Sequence, residues 1–385
     1  MSPSDGPLIF LVAGEPSGDQ LGARLMAALK RQTGGRVRFA GLGGEQMAEQ
    51  GLTSLFPIDE LSILGIVEVL PHIRRIYQRI RETVAAVQAA RPAALVTIDS
   101  PSFSLEVSQR LKGQGIPLIH YVAPTVWAWK PWRAKKMAGY LDHLLALLPF
   151  EPPYFETHGL ATTVVGHPAV ERTAGPEAAA ELRATLGIAP DAPLVCVLPG
   201  SRRGEVSRLL PVFGGALGQL AERVEGLRVV LPTVGGVADQ VGEAVERWTV
   251  PVEVLQGAER KFAAFAAADV GLAASGTVTV ELAVSGLPSV VAYKVSPLSA
   301  MIARRLLKID HAAMPSLVLG REVQPELLQE NCTADKLADA VGRLLSDPTV
   351  RQAQLDNAAA AAKLLGYGDQ APSEKAAAKI LEIIG

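Results

Sequence analysis

Short apolar runs, each closed by a turn of small or polar residues and followed by a stretch of helical spacing, recur along the whole of this 385-residue chain. In the first part they fall at 8–13, 36–41, 94–98, 116–122 and 144–148; in the second at 194–198, 227–231, 252–255, 270–273 and 289–293. Each is too short for a helix and is bounded by Gly, Pro, Asp or Ser, so each reads as a strand. Helical patterns lie between them, for example at 20–31, 105–112 and 278–285. Parallel strands need a helix-sized crossover, and this alternation supplies one each time. The expected fold is therefore α/β, with two doubly wound Rossmann-like domains facing across a cleft. The Ala-, Gly-, Pro- and Glu-rich stretch 171–191 reads as the linker, giving an N-terminal domain at 1–172 and a C-terminal domain at 173–365. A last helix within 366–385 is expected to pack back on the first domain.

Composition removes several classes of function. The formal net charge is −2, which gives no general attraction to nucleic acid. Two distant cysteines, Cys196 and Cys332, form neither a disulfide framework nor a zinc motif. Cys196 sits inside an apolar run and reads as a core thiol. No stretch is long enough to span a bilayer, so the chain is expected to be soluble or attached to a surface. His120, His143, His158 and His167 lack metal-ligand spacing, and no Asp-x-Asp pair occurs. No metal site and no cofactor are expected.

Sites in doubly wound sheets lie beyond the C-terminal ends of strands, and three such ends stand out. After 270–273 come Ser275, Gly276 and Thr277, where a helix begins. Free N–H groups and the helix dipole there suit a phosphate, and Glu281, a turn further in, suits a sugar diol. After 194–198 come Gly200, Ser201, Arg202 and Arg203. Arg202 can neutralise a diphosphate, or the pair can be a solvated surface. After 94–98 comes Asp99, either a general base or an N-cap. Glu15, Ser17 and Asp19 in the first turn carry the same ambiguity, with Glu15 a second catalytic candidate.

Two stretches suit a lipid surface. Ile66, Val69, Ile73, Ile76, Tyr77, Ile80, Val84 and Val87 recur at helical spacing among Arg74, Arg75, Arg79 and Arg81. Such a helix lies on an anionic membrane or packs in a core with its basic face solvated. Trp127, Trp129 and Trp132 stand among Lys130, Arg133, Lys135 and Lys136, a pattern that fits a headgroup interface, a sugar-stacking wall or a packed loop.

Taken together the motifs resemble the lipid A disaccharide synthases, glycosyltransferases of the two-domain GT-B type. The matching stretches are Ala13-Gly14-Glu15-Pro16-Ser17-Gly18-Asp19, Ile63-Leu64-Gly65-Ile66-Val67-Glu68-Val69, Ile98-Asp99-Ser100-Pro101-Ser102-Phe103 and the run 121–129. They continue in family order with Val165-Gly166-His167-Pro168, Leu198 to Arg202, Ala274-Ser275-Gly276-Thr277 and the run 323–329. Ser100, Ser102 and Ser104 stand where the family commonly has Ala, Asp and Asn, and Ser316 where it often has Asn.

The resemblance implies a reaction in lipid A biosynthesis of a Gram-negative bacterium. UDP-2,3-diacylglucosamine donates its sugar to 2,3-diacylglucosamine 1-phosphate (lipid X), giving a β-1,6 disaccharide and UDP by a metal-independent, inverting displacement. Asp99, with Glu15 beside it, is then the catalytic group. Gly200, Ser201, Arg202, Ser275, Gly276, Thr277 and Glu281 hold UDP. Ser17, Ile66, Val69, Ile73, Trp127 and Trp129 face acceptor or lipid. The resemblance also implies a cytoplasmic protein peripherally attached to the inner face of the cytoplasmic membrane, and leaves a homo-oligomer open. The alternatives are a UDP-N-acetylglucosamine epimerase-like enzyme and a non-catalytic, membrane-docked nucleotide-sugar binding protein. A dinucleotide oxidoreductase is disfavoured, because no G-x-G-x-x-G follows the first strand.

Overall fold

A computed structural model describes residues 6–61, 73–296 and 311–385. The chain divides into two compact units, Met1–Pro168 with Asp369–Gly385, and Ala169–Gly368. Each is built on a six-stranded parallel sheet. The first unit contains β1 (Leu8–Ala13), β2 (Arg38–Leu42), β3 (Ala94–Ile98), β4 (Leu118–Tyr121), β5 (His143–Ala146) and β6 (Ala161–Val164). Its strand order is β2-β1-β3-β4-β5-β6. The second contains β7 (Leu194–Leu198), β8 (Arg228–Thr233), β9 (Val252–Gln256), β10 (Val270–Ala274), β11 (Ser289–Tyr293) and β12 (Glu326–Leu328), in the order β12-β11-β10-β7-β8-β9.

The central strands show why this layering is stable. On β1, Ile9, Leu11 and Ala13 belong to one apolar core while Phe10 and Val12 belong to another on the opposite face. On β7, Val195 and Val197 serve one core and Leu194, Cys196 and Leu198 the other. Successive side chains point to opposite faces, so an unbroken apolar strand requires helices on both sides. Each fully buried Val, Leu or Ile contributes roughly 1.5–3 kcal/mol. Cys196 is a core thiol, pushed well above the usual thiol range by burial.

The last helix, Pro372–Ile384, lies against the helix Pro16–Gln32 of the first unit. Ala376, Ala377 and Ile380 enter that unit's core, and Glu374 pairs with Arg31. Within the 61–87 stretch, Ile66 and Val69 fall outside the described residues, and Ile73 opens the helix Ile73–Ala90. From Ile76 onward this is a core helix rather than a lipid-facing one. Ile80 and Val87 are buried, Ile76 and Val84 pack against the same core, and Arg75 and Arg79 pair with Glu60. Among the described residues no helix is long and apolar enough to cross a membrane.

Candidate functional site

Each sheet reverses its direction of growth once, and each unit's candidate residues lie at its own reversal. In the second unit the chain runs outward through β7, β8 and β9 and returns to place β10 on the other side of β7. Adjacent strands whose crossovers leave in opposite directions open a crevice at their C-terminal ends. Gly200, Ser201 and Arg202 follow β7, and Ser275, Gly276 and Thr277 follow β10. They line one cavity of about 370 Å³ together with Glu281 and Lys261.

Each turn is built for close approach. Gly200 has φ 104°, and a Cβ there would meet Glu205 Oε2 at 2.8 Å. Arg202 extends from the start of the helix Arg203–Ala221, three-quarters exposed, with Nη1 donating to Glu205 Oε1 at 3.1 Å. Beside it the helix Val278–Val284 begins without a side-chain cap. Neither Ser275 nor Thr277 caps it through its hydroxyl. Ser275 Oγ instead donates to the Ala312 carbonyl at 2.7 Å, and Thr277 is itself helical in backbone. The N–H groups of Gly276 and Thr277 have no partner among the described residues. A Cβ at Gly276 would touch no protein atom within 4 Å. Such a bare helix start presents donors to an anion.

Glu281 is held by a residue that sequence reading missed. Lys261 Nζ, from the helix Ala258–Ala267, donates to Glu281 Oε1 at 2.8 Å and Oε2 at 2.9 Å. Lys261 also lies over the rings of Phe262 and Phe265. The carboxylate is thus fixed in direction, with lone pairs left for further donors.

In the first unit the reversal lies between β1 and β3. Asp99 leaves β3 and Glu15 leaves β1, and Ser17 Oγ bridges the two exits by donating to Asp99 Oδ2 at 3.3 Å. Asp99 and Ser100 have φ 48° and 45°, two consecutive left-handed residues without a glycine. Such strain persists only where surroundings enforce it, and it clusters at functional sites. Asp99 is not the N-cap of the following helix; Ser100 holds that position, with no side-chain cap bond. Glu15 is exposed at the start of the helix Pro16–Gln32 and makes no cap bond either. Asp19 resolves to a structural role. It is buried, and its carboxylate accepts from the N–H groups of Gly44, Gln46 and Met47, capping the helix Glu45–Glu49 from a distance.

The tryptophan segment divides. Trp127, which the resemblance sets against acceptor or lipid, makes protein contacts. It is partly buried, stacks edge-on against Phe150 at 5.3 Å, and its Nε1 donates to Glu151 Oε1 at 3.3 Å. Trp129 and Trp132 are exposed, the former with Lys130 Nζ 4.2 Å from its ring centre. His167 is buried, and desolvation pushes it down to about 4, so its imidazole is neutral. Ser316 is fully buried, and its hydroxyl accepts from Val323 N–H, so it serves the local turn. Among the described residues no three His, Cys, Asp or Glu side chains gather as metal ligands.

A family model described as lipid-A-disaccharide synthetase matches residues 9–380. The chain is 53% identical over 379 residues to the lipid-A-disaccharide synthase of Rhodospirillum centenum, covering 98% of this chain and 94% of that one. It is 50% identical over 381 residues to that of Paramagnetospirillum magneticum, covering 98% and 97%. Among solved structures, the UDP co-structure of S. aureus MnaA superposes with a TM-score of 0.65 at 14% identity, covering 96% of this chain and 94% of that one. Acinetobacter baumannii MurG does so at 0.59 and 15%, covering 98% and 100%. At such identities these two likenesses establish the fold alone. The near-full-length family match establishes more: the chain belongs to the lipid-A-disaccharide synthetase family.

Proposed function

We infer that the chain does what its family does: it is a lipid-A-disaccharide synthase, a glycosyltransferase that forms the lipid A disaccharide. The observation that carries this is the match of residues 9–380 to that one family. It favours transfer over the epimerase alternative, which uses the same fold, and over a non-catalytic binding protein.

The finer chemistry is our proposal. The donor is UDP-2,3-diacylglucosamine and the acceptor is 2,3-diacylglucosamine 1-phosphate. Asp99, oriented by Ser17 and with Glu15 nearby, takes the proton of the acceptor 6-hydroxyl. That oxygen forms a bond to C1 of the donor sugar from the face opposite the nucleotide. The C1–O bond to UDP breaks, and inversion gives the β-1,6 linkage. Charge developing on the diphosphate meets Arg202 and the N–H groups of Gly276 and Thr277; preorganised donors of this kind stabilise a leaving anion without reorganisation. Gly200 and Ser201 leave room for the phosphates, and Glu281 accepts the ribose hydroxyls. The first unit takes the acceptor and the second the nucleotide. Exposed Trp129 and Trp132, with Lys130, Lys135 and Lys136, suit the anionic inner face of the cytoplasmic membrane.

Asp99→Asn tests the central role. It should lower kcat by about 10²-fold or more, the range of general base catalysis, with UDP affinity unchanged. Turnover near that of the unsubstituted enzyme would remove Asp99 from the mechanism.

A further inference from the structure

One buried carboxylate has no part in the chemistry above. Glu151 is only 2% exposed, follows β5, and turns its side chain back toward that strand's exit. Oε2 accepts from the N–H groups of Leu147 at 3.1 Å and Leu148 at 3.0 Å, and Oε1 accepts from Trp127 Nε1 at 3.3 Å. All three partners are donors. An ionised carboxylate, which only accepts, satisfies them together; a carboxamide offers one accepting atom and one donating atom. Burying that charge is costly, and desolvation pushes the group up to about 7. No ion pair reaches it among the described residues.

The position of these bonds gives the cost a purpose. Trp127 belongs to the loop that leaves β4, the strand next to β3 and Asp99. Asp99 N–H donates to the Tyr121 carbonyl at 2.9 Å, and Val122 N–H to the Leu145 carbonyl at 3.0 Å. Val122 has φ 84°, a strained turn for a β-branched residue. Backbone bonds therefore tie the exits of β3, β4 and β5 side by side, and Glu151 fastens the middle loop to the exit of β5.

We propose that Glu151 is a positioning residue: through Trp127 it fixes the 122–131 loop beside Asp99 and so sets acceptor binding. The proposal rests on the reading that the first unit takes the acceptor.

The test compares Glu151→Gln, Trp127→Phe and the double variant, measuring KM for UDP-2,3-diacylglucosamine and for 2,3-diacylglucosamine 1-phosphate, with kcat and Tm. In Glu151→Gln the carboxamide keeps the backbone bonds and turns its N–H₂ on the indole N–H. Acceptor KM should rise about tenfold, the scale of one unsatisfied buried donor, with donor KM unchanged. Adding Trp127→Phe removes the opposing donor while keeping a ring against Phe150. It should return acceptor KM to the value of Trp127→Phe alone. An unchanged acceptor KM in Glu151→Gln overturns the proposal. So does a joint fall in kcat and Tm that Trp127→Phe leaves unrelieved, because Glu151 is then only structural. A rescued rise confined to donor KM keeps the Glu151–Trp127 coupling and overturns instead the acceptor-side reading beneath it.

Discussion

Glu281→Ala gives a nucleotide-binding test whose size follows from the geometry. Lys261 Nζ donates to both Glu281 oxygens, at 2.8 and 2.9 Å, inside a cavity of about 370 Å³. Each oxygen keeps a further lone pair, enough to accept from one ribose hydroxyl apiece. A hydrogen bond to a charged group contributes about 1.5–3 kcal/mol. The Glu281 side chain is 15% exposed, so water competes and the lower end applies. Two such bonds amount to roughly 3 kcal/mol, or about a hundredfold in Kd. Isothermal calorimetry with UDP and with 2′,3′-dideoxy-UDP isolates this contribution. The unsubstituted protein should prefer UDP by about that hundredfold, and Glu281→Ala should bind both nucleotides alike. Equal weakening of both by the substitution would refute the reasoning, since the carboxylate would then act on the pocket through Lys261 and not on the diol.

Arg202→Ala should weaken UDP about tenfold, as loss of one exposed charge-assisted contact does, and leave uridine affinity unchanged; an equal effect on both ligands would count against a diphosphate contact. Asp19→Ala should lose three bonds to Gly44, Gln46 and Met47 N–H. At about 1 kcal/mol each this is roughly 3 kcal/mol, a fall of ~6–12 °C in Tm of the first unit; an unshifted calorimetric Tm would show that the remote cap is dispensable.

Much of this architecture is written in the local sequence, and the exceptions have physical causes. The inner strands β1, β3, β7, β10 and β11 are apolar on both faces, so their runs stand out without tertiary information. The strands left unread, β6 (Ala-Thr-Thr-Val) and β12 (Glu-Leu-Leu), are short edge strands whose residues are half-buried or exposed. Strand β2, at the other edge of its sheet, begins at Arg38 rather than 36.

The site divides in the same way. The turns after β7 and β10 announce themselves by small residues at strand ends, and Asp99 by its place after β3. Lys261 was illegible because its partner lies twenty residues on, in another helix. Asp19 gave a cap signature for its own helix, yet it caps Glu45–Glu49 through a contact only the folded unit creates. The helix Ile73–Ala90 stayed ambiguous because a basic outer face over an apolar stripe looks the same on a core as on a membrane. Trp127 stayed ambiguous similarly: its distinguishing partner, Glu151, comes from the exit of the next strand.

The most direct test of the account is UDP release by the purified protein from UDP-2,3-diacylglucosamine, with and without 2,3-diacylglucosamine 1-phosphate, in detergent with excess EDTA. Release that depends on the acceptor and persists in EDTA is the expected result. Release that ignores the acceptor, or that stops in EDTA and returns with Mg²⁺, would contradict the metal-independent transfer described here.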